Sequence, residues 1–553
     1  MKKLIALVLC LMMLVPAAAM ADSEIVYNEP GTYPIANQVV TVRIFAPQDG
    51  EFSRADNIHT KELEEKLGIK IEWVVAPADQ IKSKLNLLFA GQNAEKVDLV
   101  LTGVSQRLDM VTEAQLAAQG LILPLNEYYE KSSVGYKTAF ENMPGMKDYI
   151  TQPDGNIYNM PNVDGSLHVQ YQLKCWINQQ WLDNLGLEQP TTTEEFYQVM
   201  KAFKEQDANG NGDPNDEIPL STTKNGASAM IDGFLMAPFQ LTPMTTRMYV
   251  DNGVVTYAPI QDAYREGLRY LNKMYTEGLI NPESFTQQSS NQVNVNENGE
   301  DTVIGAFLAM RPGYGVDMSA DGARKWEEYR LLAPLKGPSG EAISDWNPYV
   351  MYQTGMAFIP AGAQNPEAAF RLVDYLATYE GTMRSAWGIE GVHWQKAAEG
   401  AVGLDGSQAI VSTLEAYRTD TNFRWDQLAG YVRDTAFTVM QETAADPYAA
   451  DVAPLDGRQI VMYKGSLAHQ AVAQSLDSVL PSLYFTEDAA EEIALLQTSV
   501  NDYQQECMVA FITGTMSIDD DWDSYVETIK SIALDDYLAL YQEAYDASAF
   551  SQK

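Results

Sequence analysis

The chain has 553 residues, 46% of them hydrophobic and 10% aromatic, and a formal net charge of −38 at pH 7. This length exceeds what one hydrophobic core normally organises, so we expect two or more domains. The negative charge argues against nucleic acids and anionic membranes as partners, because binding to their phosphates requires clusters of Lys and Arg.

The N-terminus has the pattern of a cleaved secretory signal. Two lysines precede an apolar run, and the small residues Ala19 and Ala21 end it. We therefore predict that residues 1–21 are removed and that the mature protein is periplasmic or associated with the cell surface. A membrane anchor is the alternative, but the run is short and leads into a cleavage-like site.

The segment after the signal alternates between strand and helix patterns. In chain order we predict a strand at 41–45, a helix at 57–68, a strand at 69–75, a helix at 79–91 and a strand at 98–103. In the first helix Leu63 and Leu67 share a face, and Gly68 ends it. This β-α-β-α-β order indicates an α/β protein built on a parallel sheet wound with helices.

A later strand, predicted at 171–178, has two different faces. Cys175 lies on its apolar face, and Trp176 lies on the opposite face beside Lys174. After signal removal only Cys175 and Cys507 remain, which is too few for a disulfide scaffold. We expect both cysteines to fill hydrophobic core.

A cation-binding loop is predicted directly after the next helix, in the stretch DANGNGDPNDE at 207–217. Its oxygen-bearing side chains alternate with glycines, as suits the oxygen preference of Ca²⁺. The candidate ligands are Asp207, Asn209, Asn211, Asp213, Asp216 and Glu217. The EF-hand template requires Glu at the twelfth position, where Ile218 stands, and no helix pattern follows. We therefore predict a structural Ca²⁺ rather than a calcium switch, the alternative being a solvated turn without metal.

The order and spacing of several motifs resemble a known family. The stretch WINQQWLDNLGLEQPTTTEEFYQVMKAFKEQDANGNGDPNDEIPLS, at 176–221, is similar to the extracellular solute-binding proteins, family 1, of ABC importers. The resemblance continues through 264–285, 365–394 and 511–546, so it spans nearly the whole mature chain. The loop at 207–217 is similar to the calcium loop of the alginate-oligosaccharide-binding members, although it is one residue longer.

The resemblance implies a two-lobed periplasmic-binding-protein (type II) fold. Each lobe would be a mainly parallel sheet wrapped by helices, with a hinge between the lobes and additional C-terminal helices. By similarity to maltose-binding protein, lobe 1 would contain 22–168 and 348–405. Lobe 2 would contain 169–347 and 406–553, each boundary being good to about 15 residues.

Sugar recognition needs flat aromatic faces and planar polar groups, and the family's cleft implies where to look for them. Arg311 and Tyr314 lie in the loop MRPGYG, where the maltose binder has an aromatic ligand loop. The other candidates lie on the crossing strands or in the stretch WGIEGVHW: Trp176, Trp346, Tyr349 and Trp394. Each of these aromatics could instead be a core residue, and Arg311 could be a surface ion-pair partner.

The sequence and the resemblance together favour a binding protein. No H-E-x-x-H, G-x-S-x-G, C-x-x-C or P-loop motif is present, so we expect no enzymatic activity. We expect a monomer that captures an oligosaccharide and delivers it to the permease subunits of an ABC importer. The alternatives are a peptide receptor of the same fold and a secreted carbohydrate-active enzyme. The net charge argues against polyanionic ligands, unless local charge in the cleft overrules it.

Overall fold

This computed structural model describes residues 24–48, 53–91, 93, 95–224, 229–244, 246–319, 322–420, 422–425, 428 and 430–551. The predicted signal at 1–21 lies outside the described residues. Within the described part of the chain, no helix combines the length and the apolar character needed to cross a membrane.

Most of the strands are short, and the two longest come first in the chain. The strands are β1 (Val40–Pro47), β2 (Ile69–Ala76), β3 (Leu99–Leu101), β4 (Asn162–Asp164), β5 (Cys175–Asn178), β6 (Ile218–Ser221), β7 (Met248–Asp251), β8 (Val254–Tyr257), β9 (Ile304–Leu308), β10 (Tyr329–Leu331), β11 (Tyr352–Gln353), β12 (Ala357–Phe358), β13 (Trp394–Lys396), β14 (Val411–Thr413) and β15 (Val432–Arg433).

Helices alternate with these strands and then dominate the C-terminal part. They are α1 (Ile58–Leu67), α2 (Ile81–Ala90), α3 (Met110–Ala118), α4 (Asn126–Lys131), α5 (Gly135–Asn142), α6 (Pro144–Ile150), α7 (Leu167–Gln170), α8 (Gln179–Leu185), α9 (Thr193–Glu205), α10 (Asp262–Thr276), α11 (Ser289–Glu297), α12 (Pro366–Leu376), α13 (Tyr379–Trp387), α14 (Glu415–Thr419), α15 (Thr435–Thr438), α16 (Pro454–Gln470), α17 (Glu487–Thr513), α18 (Trp522–Ser531) and α19 (Leu534–Ala547).

Lobe 1 is built on a four-stranded sheet of order β12-β3-β1-β2. β1 is parallel to β2 and β3, and β12 pairs antiparallel at the edge. Helix α1 connects β1 to β2 as the sequence predicts. The side chain of Asn57 caps its N-terminus. Gly68 ends the helix with a φ of 65°, a left-handed conformation that glycine adopts without a steric clash because it has no Cβ. Leu63 and Leu67 are buried against the sheet.

Lobe 2 is built on a second four-stranded sheet, of order β10-β5-β9-β6. β6 and β9 are parallel, whereas β5 runs antiparallel to both β9 and β10. Thr192 caps α9 by accepting a hydrogen bond from the backbone N–H of Glu195, and Phe203 of this helix is buried. Cys175 and Cys507 are free thiols buried in this lobe's core, which confirms their predicted role.

Three strands from distant parts of the chain form the hinge sheet, β11-β4-β15. β4 leads from lobe 1 towards β5 of lobe 2, and β11 receives the chain as it returns. β15 pairs parallel with β4, so Arg433 lies beside Asp164. The two-lobed α/β architecture predicted from the sequence is therefore confirmed.

The third crossing comes later in the chain than the sequence predicts. Residues 406–433 were expected in lobe 2, but Trp425 packs in the lobe 1 core. Its ring lies 5.2 Å from that of Trp73, edge to face, and its Nε1 donates to Thr60 Oγ1 at 2.8 Å. The boundary at 405 is therefore corrected: Phe437 and Met440 still pack with Trp387 of α13, so the chain stays with lobe 1 beyond Arg433.

The C-terminal helices support both lobes. Helix α17 packs on α10 of lobe 2 and also on α3 of lobe 1. Just before α17, the hydroxyl of Tyr484 donates to the buried carboxyl of Glu113 in α3, at 2.9 Å. Burial raises the pKa of Glu113 to about 7, against the opposing effect of its hydrogen bonds.

Candidate functional site

Polar side chains gather where the lobe 2 sheet meets the hinge sheet. The backbone N–H of Ala309, just after β9, donates to the carbonyl of Lys174 at 3.2 Å, so the two segments are neighbours. Arg311 follows two residues later. The carboxyl end of β9 thus places Arg311 on the same edge of the sheet as Lys174, facing the hinge.

The hinge contributes a carboxylate and two further side chains to this region. Asp164 accepts a hydrogen bond from Arg433 at 2.6 Å and one from the Ser166 hydroxyl at 2.6 Å. His168, in α7, is buried, and its carbonyl accepts a hydrogen bond from the Lys174 ammonium at 3.0 Å. Although burial raises the pKa of Asp164, the charge of Arg433 and the hydrogen bonds from Ser166 hold it at about 2, so Asp164 is ionised at neutral pH.

Helix α16 brings a third arginine, Arg458, to the same place. The helix packs on the lobe 2 sheet through Val461 and Met462 and also touches α7. The neighbour of Arg458 in this helix, Asp456, bonds to Arg418, which follows Tyr417 in the chain, and Val461 packs in the same cluster as Tyr314. Tyr417 packs with the α13 residues of lobe 1, whereas Tyr314 belongs to lobe 2. Arg458 therefore belongs to a helix that contacts the segments carrying both tyrosines.

We call Lys174, Arg311, Arg433 and Arg458 the cationic cluster. Burial, and then the charge of Arg311, lower the pKa of Lys174 to about 7. The same two causes lower the pKa of Arg458 to about 10. Burial also holds the pKa of His168 far below its ordinary value, with Arg311 contributing, so this imidazole is neutral.

Of the predicted ligand residues, the structure brings Arg311 and Tyr314 together in this region. Tyr314 is half-buried, and its carbonyl accepts a hydrogen bond from Gln292 at 3.0 Å. Trp176 lies in the core beneath them: its side chain is 1% exposed, stacks on Phe307, and donates from Nε1 to the Ala309 carbonyl. The expectation that Trp176 contacts a ligand is corrected, because neither ring face is open to solvent.

Trp346 and Tyr349 lie in the segment that returns from lobe 2 to lobe 1. Trp346 donates from Nε1 to Gln170 Oε1 at 3.3 Å, while Tyr349 stacks on Tyr149 at 5.7 Å. Beside them a cavity of about 350 Å³ opens between the lobes, lined from both sides and by the hinge residues Gln170 and Asn347.

Trp394 is separate from the other candidates. It is 8% exposed and donates from Nε1 to the Gly388 carbonyl at 3.1 Å. It borders a cavity of about 1020 Å³ lined by α1, α13 and the chain after β13, all in lobe 1. The structure therefore does not bring Trp394 to the hinge region.

The loop at 207–217 is folded around its own polar groups. The carboxylate of Asp207 accepts the N–H groups of Gly210 and Gly212, both at 2.9 Å. The amides of Asn209 and Asn211 donate to the two carboxylate oxygens of Asp216, at 3.3 and 2.7 Å. Asp216 is therefore the carboxylate on which this loop converges.

The two remaining acidic candidates of the loop differ. Asp213 accepts hydrogen bonds from Asn215 at 3.1 and 3.0 Å, on the exposed side. Glu217 accepts the N–H of Ala208 at 2.9 Å, but its other oxygen is buried without a partner. Burial raises the pKa of Glu217. Strand β6 follows directly, as expected for a loop outside the EF-hand template. Among the described residues, no group of three or more His, Cys, Asp or Glu is arranged to hold a metal.

A family model for bacterial extracellular solute-binding proteins matches residues 50–383. The chain belongs to this family. The fructooligosaccharide ABC transporter substrate-binding protein FusA of Streptococcus pneumoniae is 26% identical over 504 residues, which covers 88% of this chain and 86% of FusA.

Two solved structures show the same fold. A FusA EF-hand mutant from S. pneumoniae, in complex with fructo-nystose, has a TM-score of 0.73 at 22% identity and covers 92% of this chain and 99% of its own. The alginate-binding protein AlgQ2 without calcium ion has a TM-score of 0.67 at 20% identity and covers 94% of this chain and 100% of its own.

Sequence reasoning missed three members of the cationic cluster: Lys174, Arg433 and Arg458. The sequence indicates only which strand face carries Lys174, and the two arginines lie in segments that reach the site through contacts distant in sequence. The pairing of β15 with β4 determines where Arg433 lies, and no local pattern predicts a two-residue strand. A basic residue alone was no signal, because the chain has 37 lysines and arginines.

The core placement of Trp176 can be tested by stability. Trp176→Ala should lower the free energy of unfolding by about 3–5 kcal/mol, because it removes a buried ring and leaves a cavity. Urea unfolding followed by circular dichroism measures this loss. As a control, Tyr379→Ala should change stability by less than about 0.5 kcal/mol, since that ring is 64% exposed. A loss below about 1 kcal/mol for Trp176→Ala would contradict its role in the core.

Proposed function

We propose that this protein is the extracytoplasmic receptor of an ABC importer, which binds an oligosaccharide between its lobes and delivers it to the membrane permease. The hinge sheet carries the proposal: it joins two lobes that face each other across polar and aromatic side chains. The family, and relatives whose names include oligosaccharide ligands, support it. The predicted signal fits export of the mature chain from residue 22, and a receptor of this kind requires no catalytic group.

The mechanism we propose is closure of the lobes on the ligand. A ligand favours the closed form only to the extent that it makes more contacts there than in the open form. We infer that Arg311 and Tyr314 from lobe 2 and Tyr417 from lobe 1 make such contacts. Planar rings bind the C–H faces of sugars, and the guanidinium donates to hydroxyl or acidic oxygens.

The proposal predicts binding without turnover. A thermal-shift screen of the mature protein against neutral and acidic oligosaccharides and short peptides should give a saccharide hit. At about 100 times the dissociation constant, the ligand adds about 2.7 kcal/mol to stability. Mass spectrometry should recover the saccharide intact. Cleavage would show an enzyme instead, and a hit restricted to peptides would show a peptide receptor.

With the saccharide hit, Tyr314→Ala should weaken binding about tenfold, because one stacking face is lost. Isothermal titration calorimetry measures this change, and the exposed Tyr379→Ala is the matched control. Equal affinity of Tyr314→Ala and the unmodified protein would remove Tyr314 from the site.

We also propose that the loop at 207–217 holds a structural Ca²⁺. Oxygens of Asp207, Asn209, Asn211, Asp216 and Glu217 would ligate it, and the unpartnered buried oxygen of Glu217 fits a cation ligand. Bound Ca²⁺ would neutralise the loop's carboxylates and fix the connection between α9 and β6. Support also comes from relatives whose structure titles mention an EF-hand mutant or calcium.

Removal of the cation should lower stability and leave the ligand cleft able to bind. EDTA should lower the melting temperature of the unmodified protein, because Ca²⁺ binds the folded form preferentially. Asp216→Ala should melt lower in Ca²⁺ and should not respond to EDTA, whereas Asp213→Ala should keep its response. An unchanged melt in EDTA, with no calcium found by mass spectrometry, would contradict the proposal.

A further inference from the structure

The cationic cluster is an exception in a chain whose formal net charge is −38. It joins four basic side chains from four separate segments: Lys174 before β5, Arg311 after β9, Arg433 in β15 and Arg458 in α16. Acidic residues outnumber basic ones by two to one along the chain, 75 against 37, so this local excess of positive charge is not a consequence of composition. It needs a physical explanation of its own.

The hydrogen-bond partners show that the cluster lacks anions. Arg433 is paired with Asp164, the one carboxylate bonded to the cluster in the described structure. The Lys174 side chain is fully buried, and its ammonium donates to a neutral carbonyl. Nearby Asp456 is no substitute, because it accepts from Arg418 and from Gln441 at 2.9 Å.

Arg311 and Arg458 are the clearest case of missing partners. Within the described residues neither makes an ion pair, and the Nε of each is buried without an acceptor. Both side chains are otherwise half-buried, so part of each guanidinium reaches solvent. A guanidinium in this position costs stability unless an acceptor arrives from outside the chain.

Repulsion within the cluster also indicates that it lacks an anionic partner. The charge of Arg311 opposes protonation of Lys174 and of Arg458, as the lowered pKa values of both show alongside the effect of burial. An anion placed among these groups would remove the repulsion and accept their hydrogen bonds. Arginine binds carboxylate and sulfate oxygens in pairs, which gives both strength and orientation.

Aromatic rings lie close to the segments that carry the cations. The Arg433 guanidinium is 5.0 Å from the centre of the Tyr431 ring. Tyr314 packs with Val461 of α16, and Tyr417 lies 5.6 Å from Trp387, ring to ring. Rings beside guanidinium groups match a ligand that has both apolar sugar faces and acidic groups. A neutral saccharide would leave the cations without a counter-charge.

We propose that the ligand of this cleft is an acidic saccharide, whose carboxylate or sulfate groups bind Arg311 and Arg458. This inference rests on the proposed function, because it specifies the ligand class of the same interlobe site. Arg433 remains paired with Asp164 at the edge of the cleft. The buried Lys174 adds positive charge without contacting the ligand. The acidic excess over the rest of the chain then opposes weak, non-specific binding of polyanions elsewhere.

The test is calorimetry on the mature protein with matched probes. These are trimannuronate and trigalacturonate, the carboxyl-reduced neutral form of each, neutral fructo- and malto-oligosaccharides, and a sulfated chondroitin disaccharide. We expect an acidic probe to bind at least about tenfold tighter than its neutral counterpart, with an affinity that falls as NaCl is raised. Comparison of the uronates with the sulfated probe distinguishes carboxylate from sulfate recognition.

Variants assign the effect to the cluster. Arg458→Met and Arg311→Met should each weaken the acidic probe about tenfold or more, and Arg458→Lys should recover only part of the loss, since it lacks the planar fork. Arg269→Met is the control, because Arg269 pairs with Glu266 and Asp519 on lobe 2's outer surface. Melting temperatures establish that each variant is folded. The salt dependence of binding is measured on the unmodified protein, so it tests the inference even if a variant does not fold.

The outcomes separate the two proposals. If a neutral oligosaccharide binds as tightly as every acidic probe, or the arginine variants bind the acidic probe normally, the acidic-ligand inference is wrong and the receptor function stands. If no saccharide of either kind binds while the protein is folded, both proposals are overturned.

Discussion

The pairing of three distant chain segments into one small sheet determines the rest of this structure. β4, β11 and β15 are each only two or three residues long, yet β4 lies at the first crossing between the lobes and β11 at the second. The backbone hydrogen bonds of this sheet hold the two lobes next to each other. The segments that flank the sheet can change direction. This sheet also brings Asp164 and Arg433 into register and so orients the edge of the cleft.

The charge distribution follows from that arrangement. Lobe 2 supplies Lys174 and Arg311 from the ends of strands, and α16 adds Arg458 after the third crossing. Collecting these cations at the hinge costs desolvation and repulsion. Such costs are typical of functional sites, where an incoming ligand rather than the protein completes the interactions.

Local patterns predicted much of the fold. The strands and helices up to β3, the capped helix α9 and the buried cysteines all follow from periodicity and capping residues. The third crossing did not, because Trp425 is committed to lobe 1 by contacts with Trp73 and Thr60, far away in sequence. For the site, Arg311 and Tyr314 came from a resemblance, and their contact with a ligand stays a prediction. Trp176 shows the limit: its strand position is right, but Phe307 covers its ring.

The central claim is that a ligand bound at the hinge draws the two lobes together. Small-angle X-ray scattering of the mature protein, with and without a saturating saccharide identified by calorimetry, measures this directly. The account predicts a smaller radius of gyration when the ligand is bound. The same saccharide should not change the radius of Arg311→Met at a concentration too low for this variant to bind it. An unchanged radius at proven saturation of the unmodified protein would contradict lobe closure as the mechanism.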